Sequence, residues 1–155
     1  MLTMPDLLEF DGEWTSYIDN VYQEFQDSFL NSGIRFRGLP VRPRYTPEYD
    51  NKEFGFWHLT SEGEIESERT PDLKRCARIR WITHMIRNNE HECLSCWEER
   101  RGNSIEVVIW NEFEDYVVVL AERHDYWLLK TAYLVTRSGK RRQLESSRTR
   151  NQRPR

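Results

Sequence analysis

No run of apolar residues in this chain approaches the roughly 18–20 residues of a membrane span, and no basic stretch followed by an apolar core stands near its start. A cytoplasmic protein with no membrane partner is the expectation. Cysteine is scarce: three residues, an odd count, do not make the disulfide framework of a small secreted domain. Glycine and proline, seven and six residues, are too few for a low-complexity or collagen-like chain. Several chemistry-bearing patterns are also missing. There is no G-x-G-x-x-G, no P-loop, no G-x-S-x-G and no H-E-x-x-H. Nucleotide-cofactor, hydrolase-elbow and zincin readings therefore have no support, and no cofactor is expected.

What is present is aromatic and charged. Aromatic residues make up 13% of the chain, with six tryptophans, so a folded body is expected despite a mean hydropathy of −0.84. The net charge of −3 conceals an uneven distribution. Residues 137–155 carry eight basic residues against Glu145 alone. Removing these from the totals of 23 and 26 leaves 15 basic and 25 acidic residues in 1–136, a charge of −10 facing +7. The expectation is one domain over 1–136 and a basic, flexible tail over 137–155. Such a tail folds back on the acidic body, grips nucleic acid, or holds an acidic partner.

Trp14, Tyr17, Ile18, Val21, Tyr22, Phe25 and Phe29 follow helical spacing, with Gly33 placed to end the helix. Ile34–Val41 alternates apolar and basic residues and reads as an edge strand interrupted by Gly38 and Pro40. Phe54–Thr60, FGFWHLT, is short, aromatic and strand-like. Ser61–Glu68 reads as an acidic loop. A helix starts near Asp72, with Thr70 as N-cap and Pro71 at its first position. The segment Arg78–Arg87 fits strand and helix equally well. His91–Arg101 is polar with two cysteines and leads into the strands that follow. Ile105–Trp110, Tyr116–Ala121 and Tyr126–Val135 then form a three-stranded antiparallel meander, with the all-apolar Val117–Leu120 as its doubly covered middle. The fold class is α+β: one or two N-terminal helices on a curved antiparallel sheet that ends in the meander.

Four constellations bear on chemistry. His58 and Thr60 in FWHLT offer a proton-transfer group and a hydroxyl for a phosphate oxygen, against the plainer alternative of a structural histidine among aromatics. Arg78, Arg80, His84 and Arg87 bring cations together. As a strand, Arg78, Arg80 and His84 share a face; as a helix, Arg80, His84 and Arg87 align. Either arrangement suits a polyanion, and either could instead pair with the acidic body. Lys130, Thr131 and Tyr133 lie on the last strand, with Lys130 and Ala132 expected on one face and Thr131 and Tyr133 on the other. Cys93, Cys96, His91 and Cys76 supply only one C-x-x-C pair, short of a structural zinc site, so three reduced thiols and no metal are expected.

Together the aromatic helix, the histidine in FWHLT, the R-x-R-W segment and the closing L-K-T-A-Y strand resemble the phage and toxin nucleases grouped as barnase-EndoU-colicin-RelE-like. The resemblance runs over Trp14–Val135 and is sharpest at KTAY. It implies a metal-independent endoribonuclease of toxin or phage-defence type, cleaving RNA by 2′-hydroxyl attack and restrained by an antitoxin or immunity protein. His58 would be general acid or base. Arg78, Arg80, Lys130 and Thr131 would steady the phosphate. Tyr133 would position the nucleotide, with Thr60, His84 and Arg87 assisting. Such nucleases often use a carboxylate base, and the motifs single out none of the 26 acidic residues. The alternative is a non-catalytic module of the same fold that binds nucleic acid or protein.

Overall fold

The computed structural model describes residues 2–62 and 70–151. Helix α1, Trp14–Phe25, begins where the Glu13 carboxylate accepts the N–H groups of Thr15 and Ser16, two donors a helix start leaves unpaired. Tyr17, Ile18, Val21 and Phe25 are its buried stripe, extended by Phe29 in the π-helical turn Gln26–Leu30. Gly33, with φ of +65°, ends the helix as its position suggested. The segment read as one interrupted strand folds into a hairpin, β1 (Arg35–Phe36) and β2 (Leu39–Arg42). Arg37 and Gly38 both take positive φ, the geometry a two-residue hairpin turn requires.

Strands β5 (Leu94–Arg101), β6 (Ser104–Asn111), β7 (Tyr116–Glu122) and β8 (Trp127–Leu134) form the antiparallel body of a curled six-stranded sheet. Preceding them are β3 (Ser61–Glu62) and β4 (Thr70–Pro71), which form a separate pair. The sheet order is β1-β2-β8-β7-β6-β5, and β2 lies parallel to β8. The sheet is thus mixed rather than purely antiparallel, and the meander has four strands. The polar segment His91–Arg101 supplies this fourth strand, its alternation masked by the exposed charges of Glu98, Arg100 and Arg101. Leu94 and Trp97 are the buried members.

β7 carries apolar side chains to two cores. Val118 and Leu120 join Val107, Ile109, Leu129 and Ala132 under α1 and the helices that follow it, while Val117 and Val119 join Trp97, Val108 and Trp110 on the opposite face. Val117–Leu120, covered on both sides, has no polar position, as its composition implied.

Three expectations are corrected. FGFWHLT is a helix, α2 (Phe54–Thr60), because tertiary burial overrides its strand-like composition. Phe56 and Leu59 are buried on one side, with Phe56 against Tyr22 and Phe25. Gly55 fits against the Arg44 backbone, 3.1 Å from where a Cβ would sit, a close approach that any side chain here would have to push apart. The segment after it is helical too, α3 (Leu73–Ala77) and α4 (Ile79–Arg87), broken at Arg78. The cap is Asp72, whose carboxylate accepts from the N–H groups of Lys74 and Arg75. Pro71 lies in β4. Third, the basic tail is not a free end over 138–151: it forms helix α5, Ser138–Asn151, lying on the second face of the sheet. The acidic loop expected over Ser61–Glu68 lies outside the described residues from Gly63 onward.

Candidate active site

The last strand is not regular. Val119 pairs with Thr131 and Leu120 with Leu129, so Lys130 is the extra residue of a β-bulge. Simple alternation would separate Lys130 from Thr131. The bulge turns both toward the face that α5 partly covers, where they line one cavity with Tyr133, while Ala132 goes to the helix-side core.

On that face stands Glu106 of β6, only 6% exposed despite its charge. Across the sheet its neighbour on β7 is Ala121, a residue small enough for side chains to pass over. Lys130 reaches across β7 to pair with Glu106, and Arg101 pairs with it from β5 at 3.2 Å. A carboxylate set among valines is tolerable only when cations satisfy it in this way. Nothing in the resemblance named Glu106. The signal lay in the run IEVVIW, where one acid shares a strand face with Val108 and Trp110; what meets it depends on strand order and on the bulge.

The Glu106–Lys130 bridge divides a groove. On one side is a cavity of about 380 Å³ lined by Arg44, Phe54, His58, Ala121 and Arg123. On the other is one of about 480 Å³, walled by Glu99, Arg101, Thr131 and Tyr133 of the sheet and by α5. Glu106 and Lys130 line both. In the first cavity Arg44 lies over the Phe54 ring at 4.4 Å, and that ring stacks with His58 at 6.0 Å, one helical turn on. These are the planar surfaces a nucleobase needs. In the second, burial pushes the Tyr133 phenol up to about 12, so it stays a hydrogen-bond donor near neutrality. Six cations line the two cavities against two carboxylates, in a chain of net charge −3. That surplus suits an anionic ligand.

Of the residues singled out from sequence, His58, Lys130, Thr131 and Tyr133 come together here. The others do not. Thr60 is buried and donates its hydroxyl to the Phe56 carbonyl of its own helix. Arg78 donates to the Lys74 carbonyl and lies over the Trp81 ring, and Arg80 donates to the Asp6 carbonyl. With the Trp81 indole bound to the Pro5 carbonyl, that arginine segment fastens the N-terminal residues to α4. His84 and Arg87 lie on α4 and line neither cavity. Burial pushes the Cys76 thiol up to about 12 and raises that of Cys96, so neither of these two is poised as a nucleophile. Among the described residues no group of three or more His, Cys, Asp and Glu side chains is placed to hold a metal ion, and no helix is long and apolar enough to cross a membrane. In comparison with known proteins, no family model, curated protein or solved structure matches the chain.

Proposed function

We propose that this protein is a metal-independent endoribonuclease of the toxin or phage-defence kind, acting on cytoplasmic RNA. The observation that carries the reading is the convergence of His58, Glu106 and Lys130 on one cationic cavity. RNA transesterification needs those three chemistries together. Glu106 takes the ribose 2′-hydroxyl proton as the 2′-oxygen bonds to phosphorus. Lys130 and Arg101 offset the charge that builds on the phosphorane oxygens. His58 gives a proton to the 5′-oxygen as the P–O5′ bond breaks. The products are a 2′,3′-cyclic phosphate and a free 5′-hydroxyl, and the proton balance closes when Glu106 and His58 return to their starting states. Arg44 and Phe54 offer a flat surface to the flanking base, and Thr131 a hydroxyl to the phosphate. An antitoxin or immunity protein that fills the groove with acidic side chains would restrain such an enzyme.

The test is cleavage of single-stranded RNA by purified protein in excess EDTA, with the product ends identified. Wild type is expected to leave cyclic-phosphate ends. Glu106→Gln, His58→Ala and Lys130→Ala are each expected to slow cleavage by about 10²–10⁴-fold, the usual worth of a proton-transfer group or an electrostatic clamp. Binding without cleavage by wild type would replace the enzyme with a non-catalytic RNA-binding module. Cleavage abolished by EDTA would remove the metal-free mechanism.

A further inference from the structure

Helix α5 is almost without apolar residues, yet it lies on the sheet with Leu144 and Ser147 buried. Four of its five basic residues divide into two sets. Arg141 and Arg148 are used in docking. Arg141 pairs with Asp115 and Glu112, and Arg148 with Glu112 and the Ser95 hydroxyl. Both guanidinium groups lie over the Trp110 ring, at 5.2 and 4.9 Å. Lys140 and Arg150 make looser contacts with the sheet. With Gln143, Leu144 and Ser147 they follow the i, i+3, i+4, i+7 face that walls the larger cavity. Lys140 sits over the Tyr133 ring at 5.3 Å, and Arg150 comes no nearer to Glu99 than 4.0 Å. Glu99 is already engaged by Arg101 and by the Ser147 hydroxyl, which in turn accepts the Trp97 indole N–H at 2.9 Å.

We propose that α5 builds a second subsite, in which Lys140, Arg150 and the Tyr133 hydroxyl hold a phosphate and nucleotide of a single-stranded RNA beyond the scissile bond. The inference rests on the ribonuclease reading for the identity of the strand. The geometry is that of a strand path: two cavities share the Glu106–Lys130 wall, so a chain lying over the bridge enters both. Either volume falls within the roughly 300–1,000 Å³ of an ordinary ligand pocket, enough for a nucleotide unit. A duplex, whose bases are stacked inside a broad convex surface, does not enter such a cleft. A single strand does, and a groove of cations with aromatic faces is how such strands are gripped.

The test is the affinity of a single-stranded 2′-O-methyl RNA oligonucleotide, which lacks the attacking hydroxyl and so reports binding apart from cleavage. Lys140→Ala/Arg150→Ala in the full chain is expected to weaken binding about tenfold by removing two phosphate contacts. Arg142→Ala, an exposed cation on the same helix that lines neither cavity, is expected to bind as wild type does. Equal losses in both variants would mean that the helix acts only through its bulk charge, and no loss in either would mean there is no subsite; each overturns the proposal. The melting temperature of each variant separates lost contacts from lost folding. Wild type that binds through Lys140 and Arg150 but does not cleave RNA would end the ribonuclease reading and leave the subsite standing. Wild type that cleaves with affinity unchanged in the double variant would do the reverse.

Discussion

Glu106 is buried nearly as well as Val107 and Val108 beside it, and it owes that position to Lys130 and Arg101. Its counterparts in burial are phenols. Tyr17 and Tyr133 are both pushed from an ordinary value of 10.0 up to about 12, chiefly by burial. In the folded protein they hold their protons at pH values where the unfolded chain has released them. The unfolded state then binds fewer protons, so the contribution of these two phenols is level below pH 10 and is lost as pH rises from 10 toward 12, while that of Cys76 begins to go from its ordinary value of 9.0. Cys76, also raised to about 12 by burial, adds to the loss in the same direction. Urea midpoints measured on either side of pH 10 should therefore drop on the alkaline side, and Tyr17→Phe should flatten part of that drop. A midpoint that does not move between the two would contradict the burial of these hydroxyls. Lys130 also shows the limit of reading single residues. Its apolar surroundings marked it as unusual, but alternation assigned it the wrong companion, because one inserted residue changes which side chains share a face.

The element with most at stake is α5. Composition read it as a free basic tail, since a helix with one buried leucine has little apolar stripe to detect. Its docking instead depends on two arginines that meet an acidic turn and a tryptophan ring elsewhere in the chain. Leu144 fills the space over Trp97, Val108, Trp110, Val117 and Val119. Leu144→Ala should cost about 2 kcal/mol, the low end for a buried leucine because its site borders a cavity. That corresponds to a fall of roughly 4–8 °C in melting temperature for a chain of this size. Arg142→Ala, with its side chain in solvent, should leave the transition in place. If Leu144→Ala melts with wild type, α5 does not cover this face. Helix α2 teaches the converse lesson. Aromatic residues in FGFWHLT favoured a strand, while Phe54 and His58 stand i, i+4 on a helix and meet because of it. Helix α1 was legible because its stripe is long enough to outweigh such ambiguity.

At the scale of the molecule, the acidic body and basic C-terminal segment resolve into a cleft. Part of the positive charge neutralises Glu112 and Asp115, while Lys140 and Arg150 join Arg44, Arg101, Arg123 and Lys130 along the groove. Binding of a single-stranded oligonucleotide should weaken with salt. A strand engaging between two and six of these cations gives a log–log slope of about −1.4 to −4, from roughly 0.7 counterions released per contact. Fluorescence titrations at several salt concentrations would measure it. A flat response would mean that the groove does not bind through its charge. The α+β class, the first helix and the last three strands followed from periodicity and composition, and motif named the four candidate residues that line the groove, because those are properties of neighbours along the chain. The fourth meander strand, the parallel β2–β8 pairing, the fold of FGFWHLT, the docking of α5 and the selection of Glu106 did not. Each depends on partners far apart in sequence, and for Glu106 it was the side-by-side placing of β5, β6, β7 and a bulged β8 that brought a carboxylate and two cations to one place.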